Sequence, residues 1–437
     1  MLRLGIIGCG ARSAWIASCI RAADSEAAVS IVADPDSAKA RSRLDAAKVP
    51  HESASFVASA DDLIEQADCL EGIIIGTPCD LHAPMAIKVA ATGLPVFLEK
   101  PVAITSEQLA ALHQAYLGRA DSVVVSFPLR VTPLFRKVLD VVRSGRLGII
   151  NQVQAHNFVP YGGVYFGQWY RDFDVTGGLW LQKATHDFDC IHQIVTSAPR
   201  SVVAMSSRLV YGGDMPDDLH CSACAITDEC PESPAAIADR DDDGGMGRGD
   251  HACAFSRSIR HHDAGSAMIM YASGAHAAYS QNFLSRRSAG SRGARITGYL
   301  ATLSFDWYSE TIQLIEHRGK VVENIKVEVP DGHHGGDSAL ARNFVEIMRG
   351  DGVSRSTLRD GLLSAATCLA ARASESSGQL EQVVTPWPIE SPPATNQPSP
   401  PRVQLTLPGG LKRSGRVADG RTGATPLNRD VATPSAG

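Results

Sequence analysis

Six residues just inside the N-terminus, Gly8-Cys9-Gly10-Ala11-Arg12-Ser13, join the apolar run Leu2 to Ile7 to an alanine-rich stretch. Leu4, Ile6 and Ile7 read as a buried parallel strand. Gly8 lets the chain turn sharply, and Gly10 has no side chain to hold the backbone away from a pyrophosphate. The phosphates would then meet the first N–H groups of a helix from about Ser13 to Ala23, where free donors and the positive dipole end favour anions. The turn therefore predicts a dinucleotide held by Gly8, Gly10, Ala11, Arg12 and Ser13. Ser13 stands where a third glycine is usual, and its small side chain still permits close helix–strand packing.

The second half of the signature is also present. Val29 to Ala33 reads as the next strand and ends in Asp34, 21 residues after Ser13. A carboxylate there accepts hydrogen bonds from ribose hydroxyls and repels a 2′-phosphate, which favours NAD over NADP. Asp36 competes for this role, and a plain turn aspartate before Pro35 is the alternative.

With 437 residues, 44% hydrophobic and 20% charged, the chain is long enough for two domains with real cores. No apolar run approaches the roughly 20 residues of a membrane span, and no signal-peptide pattern precedes the first strand. A cytoplasmic protein without a membrane partner is the expectation. A net charge of −6, with no basic stripe interleaved with aromatics, argues against a nucleic-acid partner. Ten cysteines in such a chain read as thiols or metal ligands rather than disulfides.

Strand-like runs at Gly72 to Gly76, Pro95 to Leu98 and Ser122 to Phe127 alternate with helices near Ser59 to Gln66, Leu81 to Thr92, Thr105 to Tyr116 and Pro133 to Ser144. This alternation predicts a doubly wound parallel sheet of Rossmann type over residues 1–148. After Gly148 the rhythm changes. Runs at Ile150 to Phe158, Ser201 to Tyr211, Ala267 to Tyr271, His276 to Asn282, Ala294 to Thr297, Ala301 to Phe305, Thr311 to Glu316 and Lys320 to Val329 suit a large, mostly antiparallel open sheet. Helices near Thr185 to Thr196, Ser338 to Arg349 and Thr357 to Ser377 complete an α+β domain over 149–385. From about Ser391 the sequence is rich in Pro, Ser and Gly without periodicity, which predicts a disordered tail over 391–437.

Gly76-Thr77-Pro78, then His82, Gly93 and Glu99-Lys100-Pro101, resemble the glucose-fructose oxidoreductase, inositol dehydrogenase and MocA family. Phe127, Arg130 and Gly145-x-Leu147-Gly148 continue the likeness, which covers roughly residues 2 to 380. The resemblance implies that Lys100 lies at the carboxyl end of a strand, beside the nicotinamide and the sugar hydroxyl, with a bond to Pro101 that is often cis. It makes Lys100 a catalytic candidate and Thr77, Pro78, His82 and Glu99 cofactor-side contacts. A solvated loop lysine is the bland alternative.

The family's second motif appears as Gly177-Gly178 followed by Gln182-Lys183-Ala184-Thr185-His186-Asp187-Phe188-Asp189. Many relatives carry Asp four residues before the His, on one side of a helix. Here that position is Gln182, which can hydrogen-bond but takes up no proton; Lys183 is the adjacent ionisable group. His186 is the expected general base, because imidazole titrates near working pH. Arg130, Tyr161, Tyr165, Trp169 and Asp187 are expected on the substrate side. His334-Gly335-Gly336-Asp337 matches a late family pattern at the start of a helix.

Cys221-x2-Cys224-x5-Cys230, with Cys253 after 22 intervening residues, sits in an insertion over 212–253. Four grouped thiols fit a closed tetrahedral zinc site, with iron–sulfur as the alternative, and His220 or His251 could stand in for Cys253. Unliganded thiols are the bland reading.

Together these features predict an NAD-dependent enzyme that moves a hydride between the cofactor and a secondary hydroxyl of a sugar, sugar derivative or cyclitol. The resemblance adds a homo-oligomer, dimer or tetramer, paired through the open sheet. Two other classes fit the same motifs. One is a redox-neutral glycosidase or lyase that oxidises a sugar carbon only transiently; the other is a non-catalytic NAD-binding sensor.

Overall fold

The computed structural model describes residues 2–240, 249–328 and 333–388. The tail expected to be disordered lies outside them, as do 241–248 of the acidic loop and Val329.

Strands β1 (Leu2–Ile7), β2 (Ala27–Ala33), β3 (Ser55–Val57), β4 (Gly72–Ile75), β5 (Val96–Leu98) and β6 (Val123–Val125) form one sheet in the order β3-β2-β1-β4-β5-β6. Every pairing in it is parallel. Each strand is followed by a helix: α1 (Ala11–Ala23), α2 (Ser37–Ala46), α3 (Ala60–Ile64), α4 (Cys79–Ala90), α5 (Ser106–Ala115) and α6 (Pro133–Arg143). Both faces are thus covered, and every residue of β4, β5 and β6 is buried, which is why these strands read as unbroken apolar runs. Helix starts follow their caps. Asp36 accepts from Lys39 N, Ser59 forms a capping box with Asp62, and Thr105 and Thr132 accept from Gln108 N and Phe135 N.

Gly145 and Gly148, both at positive φ, turn the chain into the second layer. There β7 (Ile150–Phe158), β8 (Pro199–Ser207), β9 (Ala264–Tyr271), β10 (His276–Asn282), β11 (Ser291–Gly298), β12 (Ala301–Asp306), β13 (Thr311–Glu316), β14 (Val322–Lys326) and β15 (Glu381–Gln382) form a nine-stranded sheet. Its order is β14-β13-β12-β11-β7-β10-β9-β8-β15, antiparallel except where β7 lies beside β10.

Two one-turn helices, α7 (Val164–Gly167) and α8 (Phe173–Thr176), lead to a π-helical turn over Trp180–Ala184 and then to α9 (Thr185–Val195). The sequence predicts only the last of these, because a widened turn has no periodic signature of its own. The connection between β8 and β9 contains the cysteine-bearing segment and its own short helix α10 (Pro234–Arg240). Two helices close the chain: α11 (Gly336–Met348) and α12 (Leu358–Ser377). Helix α12 packs along β8 and α9, whereas α11 returns to the first sheet and packs on α1, with Met348 and Phe344 against Gly72. The opposite face of β8 and β9 leaves Met205, Met268 and Met270 exposed.

Candidate active site

The turn between β1 and α1 has the form its residues predict. Gly8 is at φ +78°, where a Cβ would lie 2.7 Å from the Thr77 backbone. Gly10 caps α1 with no side-chain hydrogen bond, and a Cβ there would meet only Gly76 O, 3.9 Å away. The helix therefore presents its first N–H groups, from Ala11 onward, to open space, which fits a pyrophosphate. Ser13 donates to Gly8 O at 2.7 Å and packs so tightly on Gly76 that a Cβ on that glycine would overlap its hydroxyl. Close helix–strand contact is kept because the glycine sits on the strand side of the pair.

Asp34 turns its carboxylate into the same turn, accepting from Cys9 N at 2.8 Å and Asp36 N at 2.9 Å. Its competitor Asp36 is engaged as the α2 cap. Arg12 differs from the simple expectation of a phosphate contact. Its guanidinium reaches Glu99 at 3.0 Å, Ser126 at 3.1 Å and both carboxylate oxygens of Asp337 at 2.6 and 2.8 Å. It ties the opening turn to the Glu-Lys-Pro strand end and to α11. Arg12 and His333 hold the Asp337 carboxyl far below the usual carboxylate range despite its burial.

Thr77 follows Gly76 and has its hydroxyl buried without a hydrogen-bond partner, which suits a group waiting for a polar ligand. Pro78 caps α4. His82 is buried, with one ring nitrogen 2.9 Å from Thr77 O and the other 2.8 Å from Pro101 O. It braces the Thr77 turn against the Lys100–Pro101 peptide, which is cis.

From that strand end Lys100 reaches the second layer. Its Nζ donates to the backbone oxygen of Gln182 at 2.9 Å and to Gln182 Oε1 at 2.5 Å. Burial pushes the ammonium down to about 8, partly opposed by Cys79 and Glu99. His186 is buried with Nδ1 unpartnered, and its ring meets Phe127 edge-on at 5.7 Å. Burial, reinforced by Lys100, Arg292 and Lys183, holds the imidazole well below its usual range, so it is neutral. Lys183 donates to the Tyr161 hydroxyl at 2.6 Å and sits over the Tyr161 ring at 4.6 Å and the Tyr165 ring at 5.6 Å. Lys100, Gln182, Lys183, His186 and Tyr161 thus belong to one cluster.

Three residues expected beside the substrate have other partners. Asp187 accepts from Asn157 at 3.0 Å, Tyr279 at 2.8 Å and Arg292 at 2.7 Å, all buried. Arg130 is buried between Asp189 and Asp360, 3.0 Å from each. Trp169 is half-exposed and stacks on Tyr170, with ring centroids 4.1 Å apart. Tyr165 is buried between Tyr161 and Tyr170. Arg292 is the residue that sequence reading passes over. It lies on β11 with nothing local to mark it, yet it brings a buried cation to Asp187, beside the Lys183–Tyr161 pair.

The four insertion cysteines line a single cavity of about 180 Å³, together with His251 and Glu232. The two arms of the insertion are joined by Cys221 N to His251 O at 3.0 Å and Cys253 N to Leu219 O at 2.8 Å. His251 lies 3.8 Å from Cys221 Sγ, whereas His220 turns outward to Asp250. Burial, with the other thiols adding to it, pushes the Cys221 thiol up to about 11. Among the described residues no group of three or more His, Cys, Asp or Glu side chains stands in a metal-holding arrangement. The other cysteines are buried apart from the half-buried Cys69.

Among the described residues no helix is long and apolar enough to cross a membrane.

Residues 2–127 match a family model described as an oxidoreductase family's NAD-binding Rossmann fold, and residues 140–384 match that family's C-terminal alpha/beta domain. The chain is 26% identical over 314 residues to the putative oxidoreductase YteT of Bacillus subtilis, covering 62% of this chain and 71% of that protein. It is 25% identical over 197 residues to an inositol 2-dehydrogenase of Rhizobium meliloti, covering 38% of this chain and 60% of the relative. Among solved structures, a levoglucosan dehydrogenase in complex with NADH and levoglucosan superposes with a TM-score of 0.68 at 16% identity, over 87% of this chain and 99% of that one. The WlbA dehydrogenase of Bordetella pertussis, in complex with NADH and UDP-GlcNAcA, gives 0.64 at 20% identity, over 88% of this chain and 99% of that one. With both domain models matched in order, the chain belongs to the NAD-binding oxidoreductase family of glucose-fructose oxidoreductase, inositol dehydrogenase and MocA.

Proposed function

We propose that this protein is an NAD-dependent dehydrogenase acting on a secondary hydroxyl of a sugar, sugar derivative or cyclitol. The observation that supports it best is the reach of Lys100, from the cofactor-side strand end to Gln182 on the opposite wall. A relative named inositol 2-dehydrogenase and a structural neighbour named levoglucosan dehydrogenase support the substrate class. When bound, the dinucleotide supplies a two-electron hydride acceptor. The glycine turn and the α1 N-terminus would hold its phosphates, Asp34 its ribose hydroxyls and the Thr77 hydroxyl a polar group of the cofactor. Lys100 would donate to the substrate oxygen, exchanging its bond to Gln182 for one to the alcohol. The ionisable groups of the opposite wall would take the alcohol proton, and the buried aromatic side chains would exclude water.

The test is net NADH. Incubated with NAD and a panel of polyols including myo-inositol and levoglucosan, the purified protein should accumulate NADH with at least one. Substrate consumed without net NADH would point instead to transient oxidation and bond cleavage. Failure of all polyols to reduce the cofactor would point to a sensor.

For the insertion, the donor types suit a structural zinc ion better than an iron–sulfur centre, because hydride transfer needs no one-electron carrier. Four thiols on one cavity support this reading. Cys224→Ser should lower zinc content and melting temperature together; a wild-type protein without metal by elemental analysis would refute it.

A further inference from the structure

The wall opposite the cofactor turn poses a problem of charge. A neutral base becomes a cation when it takes a proton, so cations around it oppose that step. His186 is in this situation. Lys100, Lys183 and Arg292 all act against its protonation, and its buried Nδ1 has no carboxylate to stabilise an imidazolium. The position that could have supplied one is Gln182, whose Oε1 is bonded to Lys100. The nearest carboxylate in sequence, Asp187, is engaged by Asn157, Tyr279 and Arg292.

The same cations also oppose protonation of an anionic base, but they do so by stabilising the anion. A phenol, whose ordinary range lies well above working pH, is thereby moved toward it and becomes a usable proton acceptor. Tyr161 is placed for this: its hydroxyl receives the Lys183 hydrogen bond at 2.6 Å, and the Lys183 ammonium lies 4.6 Å from its ring centroid. The groups that act electrostatically on Tyr161, or on which it acts, are Lys183 on the π turn, Asp187 on α9, Arg292 on β11, Tyr165 on α7, and Tyr170 and Tyr308. Only Asp187 among them is a carboxylate, and it is paired with Arg292. Burial raises the Tyr161 phenol, but Lys183 and Arg292 outweigh it and the net direction is downward. The neighbouring Tyr165, with no ammonium hydrogen-bonded to its hydroxyl, is pushed strongly up by burial.

We propose that Tyr161, held by Lys183, is the group that exchanges the proton of the substrate hydroxyl, with His186 acting as a neutral hydrogen-bonding partner beside it. The assignment rests on the dehydrogenase reading above. In the oxidation direction the substrate O–H bond breaks and its proton forms the Tyr161 O–H bond. The C–H bond of the carbinol breaks, its hydride passes to the dinucleotide, and the electron pair left on oxygen completes the carbonyl. The proton taken up by Tyr161 is released to solvent before the next turnover. Lys183, itself pushed down by burial and Arg292 and held up by Tyr161, keeps its hydrogen bond to the Tyr161 oxygen.

Tyr161→Phe keeps the ring and its stacking while removing only the oxygen. In a near-ultraviolet titration of the NAD-loaded protein, one tyrosine should ionise below the ordinary tyrosine range. That step should vanish in Tyr161→Phe and move upward in Lys183→Met, with Lys183→Arg restoring most of it. On a polyol that yields NADH, Tyr161→Phe should lower kcat by roughly a hundredfold or more. KM should change far less, and the dependence of kcat on a deprotonated group should disappear. A low-titrating tyrosine that survives Tyr161→Phe overturns the proposal. So does an unchanged kcat and pH profile in a variant that still makes NADH, and in that case the dehydrogenase reading stands. A wild-type protein that shows the titration but makes NADH from no polyol removes that reading, and the assignment with it.

Discussion

The two sides of the candidate site meet at Lys100 but are built by different physics. The cofactor-side wall is made of backbone: Gly8 at positive φ, Gly10 with open space beside it and a helix N-terminus without a side-chain cap. Its residues are consecutive and their roles are local. The opposite wall is made of buried side-chain charges whose partners come from distant strands and helices, as when Asp187 on α9 meets Arg292 on β11. A backbone site tolerates change in most of its side chains, whereas a charge-built site fails when any one partner is lost. The comparison predicts that substitutions will separate binding from chemistry and both from stability.

The largest separation is expected at Lys100, where the walls touch. Lys100→Met should leave NAD affinity within a few-fold, because on the proposed reading the glycine turn and Asp34, not Lys100, hold the phosphates and ribose. Turnover should fall by roughly two to four orders of magnitude. Calorimetric NAD titration and steady-state NADH formation on the same preparation check this, and equal losses in both would erase the distinction between the walls.

A loss of stability is expected at Arg130, which sits buried between Asp189 and Asp360 and so acts on folding. Burial already pushes the Asp189 carboxyl up to about 7 even with Arg130 beside it. Arg130→Met leaves two carboxylates without their cation, a change that typically costs about 3 kcal/mol or more. Denaturant unfolding should show it, whereas a variant as stable as the wild type but with impaired turnover would return Arg130 to the substrate side.

These expectations also show what the sequence can and cannot convey. The parallel sheet, the Gly8 to Ser13 turn and the Asp34 carboxylate turned into it are legible because a buried strand, a tight turn and an acidic residue at a strand end each leave a local mark. The Glu99-Lys100-Pro101 strand end is legible through its likeness to a known family, as is His186. Arg12 is different. Its identity and position suggest a phosphate contact, but its side chain is held by Asp337, 325 residues along the chain. Arg292 has no local mark either, since a strand arginine is ordinarily a solvated one. The π turn at Trp180–Ala184 escapes because hydrophobic periodicity assumes a uniform helix, although it is this turn that carries Gln182 to Lys100 and Lys183 to Tyr161. The cysteine spacing leads to an expected tetrahedral site with His220 or His251 as alternatives to Cys253. The structure brings the four thiols and His251 to one cavity and turns His220 outward, and among the described residues shows no metal-holding arrangement.

The smallest expected effect concerns the cost of placing Lys100 between the walls. Burial lowers its ammonium from the usual 10.5 to about 8, so between these values the unfolded chain holds a proton that the folded one does not. Stability from this group must then rise with pH over that window, and its full penalty applies below pH 8. In cofactor-free protein, Lys100→Met should therefore raise the melting temperature by a few degrees at pH 7. The gain should shrink as pH climbs through 8 and be nearly gone near the unfolded value. If the gain persisted unchanged at high pH, it would come from better packing of the methionine. If the variant melted lower at pH 7, the two bonds from Lys100 to Gln182 would outweigh the burial of its charge, and the opposite wall would be holding the lysine rather than merely receiving it.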